Sequence, residues 1–223
     1  MLLEAKGVSR FFQSGRIRIA ALLDVSLKCD KGEFLVITGP SGSGKSTLLH
    51  ILSSLDLPNK GEVRYEGKSL SSLSTSQLAW LRNTSFGFVF QTPHLLPHRT
   101  VLENVALPFR YGPRKSREYI RSACMRMLEY VGMADFSNRL PGSLSGGEMQ
   151  RVVFARALVH EPNIIFADEP TGSLDGDNAH RLLNLLEEQT TRGRTVIMAT
   201  HDPAAIGRGT YEIQLKKGVA CKS

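Results

Sequence analysis

Two glycine-rich stretches hold the residue types that phosphate chemistry needs. GPSGSGKST at 39–47 fits the pattern G-x-x-x-x-G-K-[ST] over 39–46. Gly39, Pro40, Ser41, Gly42, Ser43 and Gly44 form a loop whose backbone N–H groups can turn toward phosphate oxygens. Lys45 supplies a cation for the β- and γ-phosphates, and Ser46 a hydroxyl for Mg2+. Thr47 adds a hydrogen bond at the α-phosphate. LSGGE at 144–148 is a second glycine turn leading into a helical pattern. One cradle suffices for one nucleotide, so the second turn needs a separate explanation.

Three further positions lie where apolar runs end. IIFADEP at 164–170 closes a hydrophobic run with Asp168 and Glu169. Asp168 can hold Mg2+ through water, and Glu169 can polarise an attacking water. In strand geometry adjacent side chains point to opposite faces, which suits two roles. His201 follows TVIMAT, where an imidazole can contact the γ-phosphate and orient the water. Gln91 follows FGFVF, where an amide can reach Mg2+ or that water.

The elements that must position these residues read as follows. FLVIT before the cradle is a continuous apolar run, as in a strand buried on both faces, and STLLHILSSL after it has helical spacing. LLEAKGVSRFF and IRIAALLDVSLKC read as strands about a turn at QSGR, and GEVRYEGKSL as one antiparallel strand. Helices are predicted over STSQLAWLRNT with Ser74 or Thr75 as N-cap, 116–131, GGEMQRVVFARALVHE and NAHRLLNLLEEQTTR. His50, His160 and His180 fall in helical contexts and read as structural or exposed. Alternating strands and helices predict an α/β core with a mostly parallel sheet. Residues 92–158 read as a helix-rich insertion within a single domain spanning 1–223, with core and β portions at 1–91 and 159–223.

The longest apolar runs are strand-sized, far short of the ~18–20 residues that span a bilayer. Cys29, Cys124 and Cys221 are dispersed and odd in number, which argues against a disulfide framework or a zinc site and points to a reduced compartment. A net charge of +7 favours anionic partners, but no aromatic interleaving or motif indicates nucleic acid.

Together, GPSGSGKST, Gln91, LSGGE, IIFADEPTGSLD and ATHD, in this order, resemble the nucleotide-binding subunit of an ATP-binding cassette transporter over essentially the whole chain. The resemblance implies a P-loop NTPase core of RecA type, an N-terminal antiparallel β subdomain and an inserted helical subdomain. It implies ATP and Mg2+ as ligands, Mg2+ held partly through water by Ser46, Gln91 and Asp168, and hydrolysis carried by Glu169, His201 and Gln91. It also explains the second turn: Leu144, Ser145, Gly146, Gly147 and Glu148 serve the ATP of the opposite subunit in a head-to-tail homodimer. A hydroxyl and N–H groups at a helix N-terminus suit that task. Ser173, Leu174 and Asp175 form the loop where the subunits touch, and Phe12 stacks on adenine, with Phe11 as the alternative. Glu148 stands where many members have glutamine, Ser173 where asparagine is frequent, and VVFARAL is bulkier than usual.

The same resemblance implies integral-membrane permease subunits docking near 92–108, with Leu95, Leu96 and Pro97 as apolar contacts. It places the chain peripherally on the cytoplasmic face of a bacterial inner membrane. SGSGKSTLLHILSSLD and LRNTSFGFVFQTPHLLPHRTVLENVALP are most similar to the lipoprotein-releasing, LolD-type branch, with LolC/LolE-like partners. Export cassettes of MacB type and cell-division regulators of FtsE type are the near alternatives. A soluble P-loop kinase is the reading from another class, and it leaves 144–148 without a task.

Overall fold

The computed structural model describes residues 1–15 and 17–222. Along the chain the elements are β1 (Leu3–Ser14), β2 (Ile17–Cys29), β3 (Phe34–Thr38), α1 (Lys45–Leu52), β4 (Lys60–Tyr65), β5 (Lys68–Ser69) and α2 (Thr75–Ser85). They continue with β6 (Phe86–Phe90), α3 (Val101–Val105), α4 (Arg117–Tyr130), α5 (Gly146–Leu158), β7 (Ile164–Asp168), α6 (Gly176–Thr191), β8 (Thr195–Ala199), α7 (Pro203–Ile206), β9 (Tyr211–Lys216) and β10 (Val219–Lys222). Short 3-10 turns fill several connections. Among the described residues no helix is long and apolar enough to cross a membrane. The chain divides into two compact units, Met1–Ala79 with Glu187–Ser223, and Trp80–Leu186.

The first unit carries an antiparallel sheet in the order β2-β1-β4-β5. The pairing of β1 with β2 slips at Ala5/Val8, Val8/Arg10 and Arg10/Phe11. Such irregularities bend a strand and increase its twist. The run GEVRYEGKSL is a hairpin, not one strand: Glu66 (φ 48°) and Gly67 (φ 77°) turn the chain between β4 and β5. Two left-handed residues in succession match the twist of a two-residue hairpin.

The same unit holds the adjacent strands β10-β9-β3-β8. β3 runs parallel to β8 from Phe34↔Val196 to Ile37↔Ala199, and parallel to β9 from Leu35↔Tyr211 to Thr38↔Gln214. Every residue of β3 and β8 is buried, which explains their continuous apolar sequence. Each such Val, Ile, Leu or Phe contributes roughly 1.5–3 kcal/mol through burial.

In the second unit β6 and β7 pair in parallel, from Phe86↔Ile164 to Phe90↔Asp168. Phe86 meets Phe166 edge-on at 5.1 Å, and Phe88 stacks on Phe166 at 5.9 Å. α5 packs against β6, and α3 and α4 pack against α5. Ser116 caps α4 by accepting the N–H of Tyr119 at 3.1 Å. α5 ends at Leu158, earlier than the sequence pattern suggests, and Glu161 turns left-handed at φ 54°. His160 therefore lies in a turn, not in the helix where its sequence context placed it.

Candidate functional site

The phosphate loop belongs to the first unit and links β3 to α1. Gly39 has φ 142°, and a Cβ there would run into the Leu215 carbonyl oxygen and lie 2.7 Å from Ser43 Oγ. Only glycine fits that turn. Gly44 occupies the N-cap of α1 in left-handed conformation and supplies no side-chain cap. The helix N-terminus is thus built without the side-chain acceptor that most helices use, which is the arrangement an anion completes. Lys45 is buried with its Nζ donating to the carbonyls of Gly39 at 2.9 Å and Pro40 at 3.3 Å. Its ammonium is held inside the loop. Ser41 and Ser46 are exposed and Thr47 is half-buried. The glycine conformations, the uncapped helix and the in-turned lysine fit a triphosphate.

His201 reaches this loop along the sheet. Thr200 N–H donates to the Ile37 carbonyl at 3.0 Å, two residues before the loop begins at Gly39, and His201 follows as an exposed side chain. Asp202 accepts the N–H of Ala204 at 2.9 Å and so starts α7 directly after it.

Phe12 also belongs to this unit. It pairs with Ile19 on β2, and the Ala21 carbonyl of the same strand borders Gly44, so the hairpin reaches the mouth of the loop. Phe12 is 42% exposed, with the Arg10 guanidinium 4.8 Å from its ring centroid. Arg10 is fixed by Asp56 at 2.9 Å. Phe11 instead has its ring covered by the Arg18 guanidinium at 3.9 Å. The two phenylalanines that the sequence left as alternatives therefore differ: Phe12 has more open ring surface.

The second unit gathers Gln91, Asp168 and Glu169. Phe90 is in register with Asp168, so Gln91 and Glu169 leave the ends of neighbouring strands together. Gln91 is exposed, and its Nε2 stands 2.8 Å from where a Cβ on Gly172 would be. Glu169 does not continue the strand. β7 ends at Asp168, Glu169 has φ 45°, and its carbonyl accepts the N–H of Gly172 at 3.1 Å. The alternation of strand faces therefore does not explain how the two carboxylates separate. A left-handed turn does so, and a non-glycine residue in that region stores strain of order 1–3 kcal/mol.

Gln150 was not singled out in the sequence, and it organises these turns. It is 1% exposed on α5, and its Nε2 donates to the Phe90 carbonyl at 2.8 Å and the Pro170 carbonyl at 3.1 Å. It ties the strand end before Gln91 to the turn after Glu169. Its Oε1 is buried without a hydrogen-bond partner. The available signal was a glutamine on the helical face otherwise filled by Val153, Phe154 and Ala157.

The second glycine turn is the N-terminus of α5, in this same unit. Ser145 is the N-cap and forms a capping box with Glu148. Ser145 N–H donates to Glu148 Oε2 at 2.7 Å, its hydroxyl donates to the same oxygen at 2.9 Å, and Glu148 N–H donates back to Ser145 Oγ at 3.3 Å. Those donors, the backbone N–H first, hold the Glu148 carboxyl below the usual glutamate range. Leu144 and Gly147 are buried, while Gly146 is exposed. A Cβ on Gly147 would stand 2.5 Å from Asn178 on α6.

Asn178 joins this turn to Ser173, Leu174 and Asp175. Its Nδ2 donates to Asp175 Oδ1 at 3.0 Å and Oδ2 at 2.9 Å, and its N–H donates to Oδ1 at 2.9 Å. Asp175 thus caps α6, and these donors, the backbone N–H first, lower its pKa. Arg151 Nη1 donates to Asn178 Oδ1 at 3.1 Å, closing the cluster on α5. Ser173 Oγ lies 3.5 Å from the Gln91 carbonyl, and Leu174 is half-buried.

Among the described residues no group of three or more His, Cys, Asp or Glu could hold a metal by itself. The predicted Mg2+ donors Ser46, Gln91 and Asp168 are oxygen ligands with one carboxylate. Mg2+ is commonly held by one or two carboxylates plus substrate phosphates, not by an all-protein cage. Within each unit the predicted residues cluster: 39–47, His201 and Phe12 in the first; Gln91, Asp168, Glu169, 144–148 and 173–175 in the second.

A family model described as ABC transporter matches residues 22–172. An uncharacterised ABC transporter ATP-binding protein of Methanocaldococcus jannaschii is 44% identical over 217 residues, covering 97% of this chain and 96% of that protein. A macrolide export ATP-binding/permease protein MacB of Chlorobaculum tepidum is 43% identical over 218 residues, covering 98% of this chain. The chain spans only 33% of that relative's length. Among solved structures, a dimeric ATP-binding cassette in a post-hydrolysis state bound to ADP and phosphate superposes with a TM-score of 0.91 at 39% identity, covering 98% of this chain and 96% of the other.

Proposed function

The chain belongs to the ABC transporter family, and from that premise we propose that it is the ATP-hydrolysing motor subunit of a membrane complex. The observation that carries the reading is Gln150. From the helix that begins at the second glycine turn, its amide holds both the strand end before Gln91 and the turn after Glu169. A group bound at Ser145 can thereby influence both turns.

The roles follow from placement. Lys45 and the N–H groups of 39–47 bind the phosphates, and Phe12, backed by Arg10, is the platform for adenine. Ser46, Gln91 and Asp168 would hold Mg2+, which would supply positive charge against the charge developing on the phosphates. Glu169 accepts a proton from the attacking water, and His201 orients that water and contacts the γ-phosphate. Ser145, Gly146 and Gly147 serve the γ-phosphate bound to a second copy of the chain. To do so, the Ser145 hydroxyl must exchange Glu148 for phosphate oxygen. Glu148 then keeps its hold on the Ser145 N–H, so the cap survives the exchange.

Two copies packed head to tail form two such sites, with 173–175 of each copy at the contact. The dimeric state of the superposable cassette supports this assembly. Permease subunits dock near 92–108, keeping the chain peripheral on the cytoplasmic face of the membrane. Lipoprotein release with LolC/LolE-like partners is the reading favoured by the strings at 41–56 and 81–108. The 43% identity to a macrolide export protein favours a MacB-like export motor as the second reading.

The test uses Glu169→Gln in the native host. This variant should bind ATP, hydrolyse almost none of it and remain dimeric on its membrane partner. Identification of that partner by mass separates lipoprotein release from drug export. A Glu169→Gln chain that stays monomeric on its permease at saturating ATP would refute the sandwich.

A further inference from the structure

β1 is paired on both sides only as far as Ser9, its last residue in register with β4, opposite Lys60. From Arg10 onward it pairs with β2 alone, from Arg10↔Leu22 to Ser14↔Ile17. A two-stranded ribbon is marginally stable by itself. The side chains on this ribbon, Phe12 among them, hold a fixed direction only if something outside the sheet supports them.

Arg10 supplies that support. Arg10 and Phe12 are two residues apart on β1 and so share a face. The guanidinium lies over the Phe12 ring, 4.8 Å from its centroid. Residues that follow α1 anchor it. Arg10 Nε is 2.9 Å from Asp56 Oδ2, and the two side chains are only 22% and 29% exposed. Nη1 donates to Asn59 Oδ1 at 3.4 Å. The same Asn59 oxygen accepts the N–H of Phe11 at 2.7 Å, and Asn59 N–H donates to the Ser9 carbonyl at 2.8 Å. Asp56 is itself fixed from two sides. Its N–H donates to the His50 carbonyl at 3.1 Å, and its Oδ1 accepts the N–H of Leu57 at 2.8 Å. His50 belongs to α1, the helix that starts at Lys45.

We propose that Asp56 and Arg10 are positioning residues for recognition of the nucleotide base. Asp56 holds the guanidinium against one face of Phe12, and the base stacks on the opposite face. α1 then serves both ends of one nucleotide. Its N-terminus carries Lys45 to the phosphates, and the turn after its C-terminus fixes the platform for the base. Arg10 acts through Phe12 and not on the phosphates, because Asp56 matches its charge. The inference rests on the reading of Phe12 as the adenine platform.

The experiment compares binding of Mg-ATP and of Mg-tripolyphosphate, which has no base, to the chain by titration calorimetry. Arg10→Ala removes a positive charge and Asp56→Asn a negative one, and Asn at 56 keeps an acceptor for Leu57 N–H. Attraction of the phosphates by charge alone would shift affinity in opposite senses in the two variants. Positioning predicts the same sense: each weakens ATP binding about two- to fivefold, the effect of losing one cation–π contact at a partly exposed site. Tripolyphosphate binding should be unchanged in both, which also shows that they fold. In a Phe12→Ala background, Arg10→Ala should have no further effect on ATP. Opposite shifts, unaltered ATP binding in either single variant, equal losses for ATP and tripolyphosphate, or a full loss from Arg10→Ala without Phe12 would each overturn the inference and leave the platform reading in place. Unchanged ATP affinity in Phe12→Ala itself overturns both.

Discussion

Replacing Gly147 by alanine tests whether the second glycine turn and the 173–175 turn form one mechanical unit. The new Cβ would stand 2.5 Å from Asn178 Cγ and Oδ1, so the amide must retreat by about 0.9 Å to reach ordinary contact at 3.4 Å. Its bonds to the two Asp175 oxygens, at 3.0 and 2.9 Å, and from Arg151, at 3.1 Å, cannot all follow such a move. Overpacking of this kind costs about 1–3 kcal/mol, and each lost hydrogen bond about 0.5–1.5 kcal/mol. We therefore expect a destabilisation of about 2–3 kcal/mol in urea unfolding of the isolated chain, with an unchanged m-value. Asn178→Ala removes the obstacle together with these three bonds, at about 2 kcal/mol. The double variant should then be scarcely less stable than Asn178→Ala alone, a coupling of about 2 kcal/mol. Additive losses would refute the steric argument, because they would mean that alanine at 147 does its damage elsewhere.

Gln150→Leu should keep ATP affinity near wild type while lowering kcat at least tenfold in the complex, since it releases Phe90 and Pro170 but touches neither phosphate loop nor adenine platform; an unchanged kcat would remove Gln150 from the pathway between the turns. Glu148 and Asp175 have pKa values lowered in the folded state, so their stabilisation is complete above the ordinary carboxylate range and is lost as pH falls through the lowered values. Glu148→Gln should accordingly flatten the acid limb of stability measured by urea unfolding between pH 5 and about pH 3. A titration with a fluorescent ATP analogue should show Phe12→Ala weakening binding by about tenfold, and Phe11→Ala by much less. Equal losses would count against Phe12 as the base platform.

Much of this architecture could be read directly from residue types. FLVIT, IIFAD and TVIMA are each too short and too uniformly apolar for anything but strands buried on both faces, and they are such strands. The parallel core with an antiparallel N-terminal sheet follows the α/β pattern expected of them. What escaped depends on backbone conformation, not on side-chain pattern. Glu66 and Glu169 both adopt left-handed φ, which glutamate does not advertise, so in sequence the β4–β5 hairpin has the pattern of one strand and the turn at 169 that of a strand end. The helical pattern of α5 continues in sequence through His160 to Glu161, whereas the helix ends at Leu158 and Glu161 reverses the chain. Gln150 was missed because its partners are main-chain carbonyls distant in sequence, which carry no residue-specific signature.

The phosphate loop is braced by the chain's last strands. The Leu215 carbonyl closes against Gly39, and Gly218 N–H donates to the Ser43 carbonyl at 3.0 Å while its own carbonyl accepts from Leu23. During synthesis, residues 39–47 emerge long before 215–218 exist to support them. Until β9 and the turn into β10 have left the ribosome, the loop lacks both of these contacts. Synthesis and completion of the loop's bracing are thus ordered in time. A product shortened before 215 presents the phosphate-binding sequence without the Leu215 and Gly218 contacts that brace the loop.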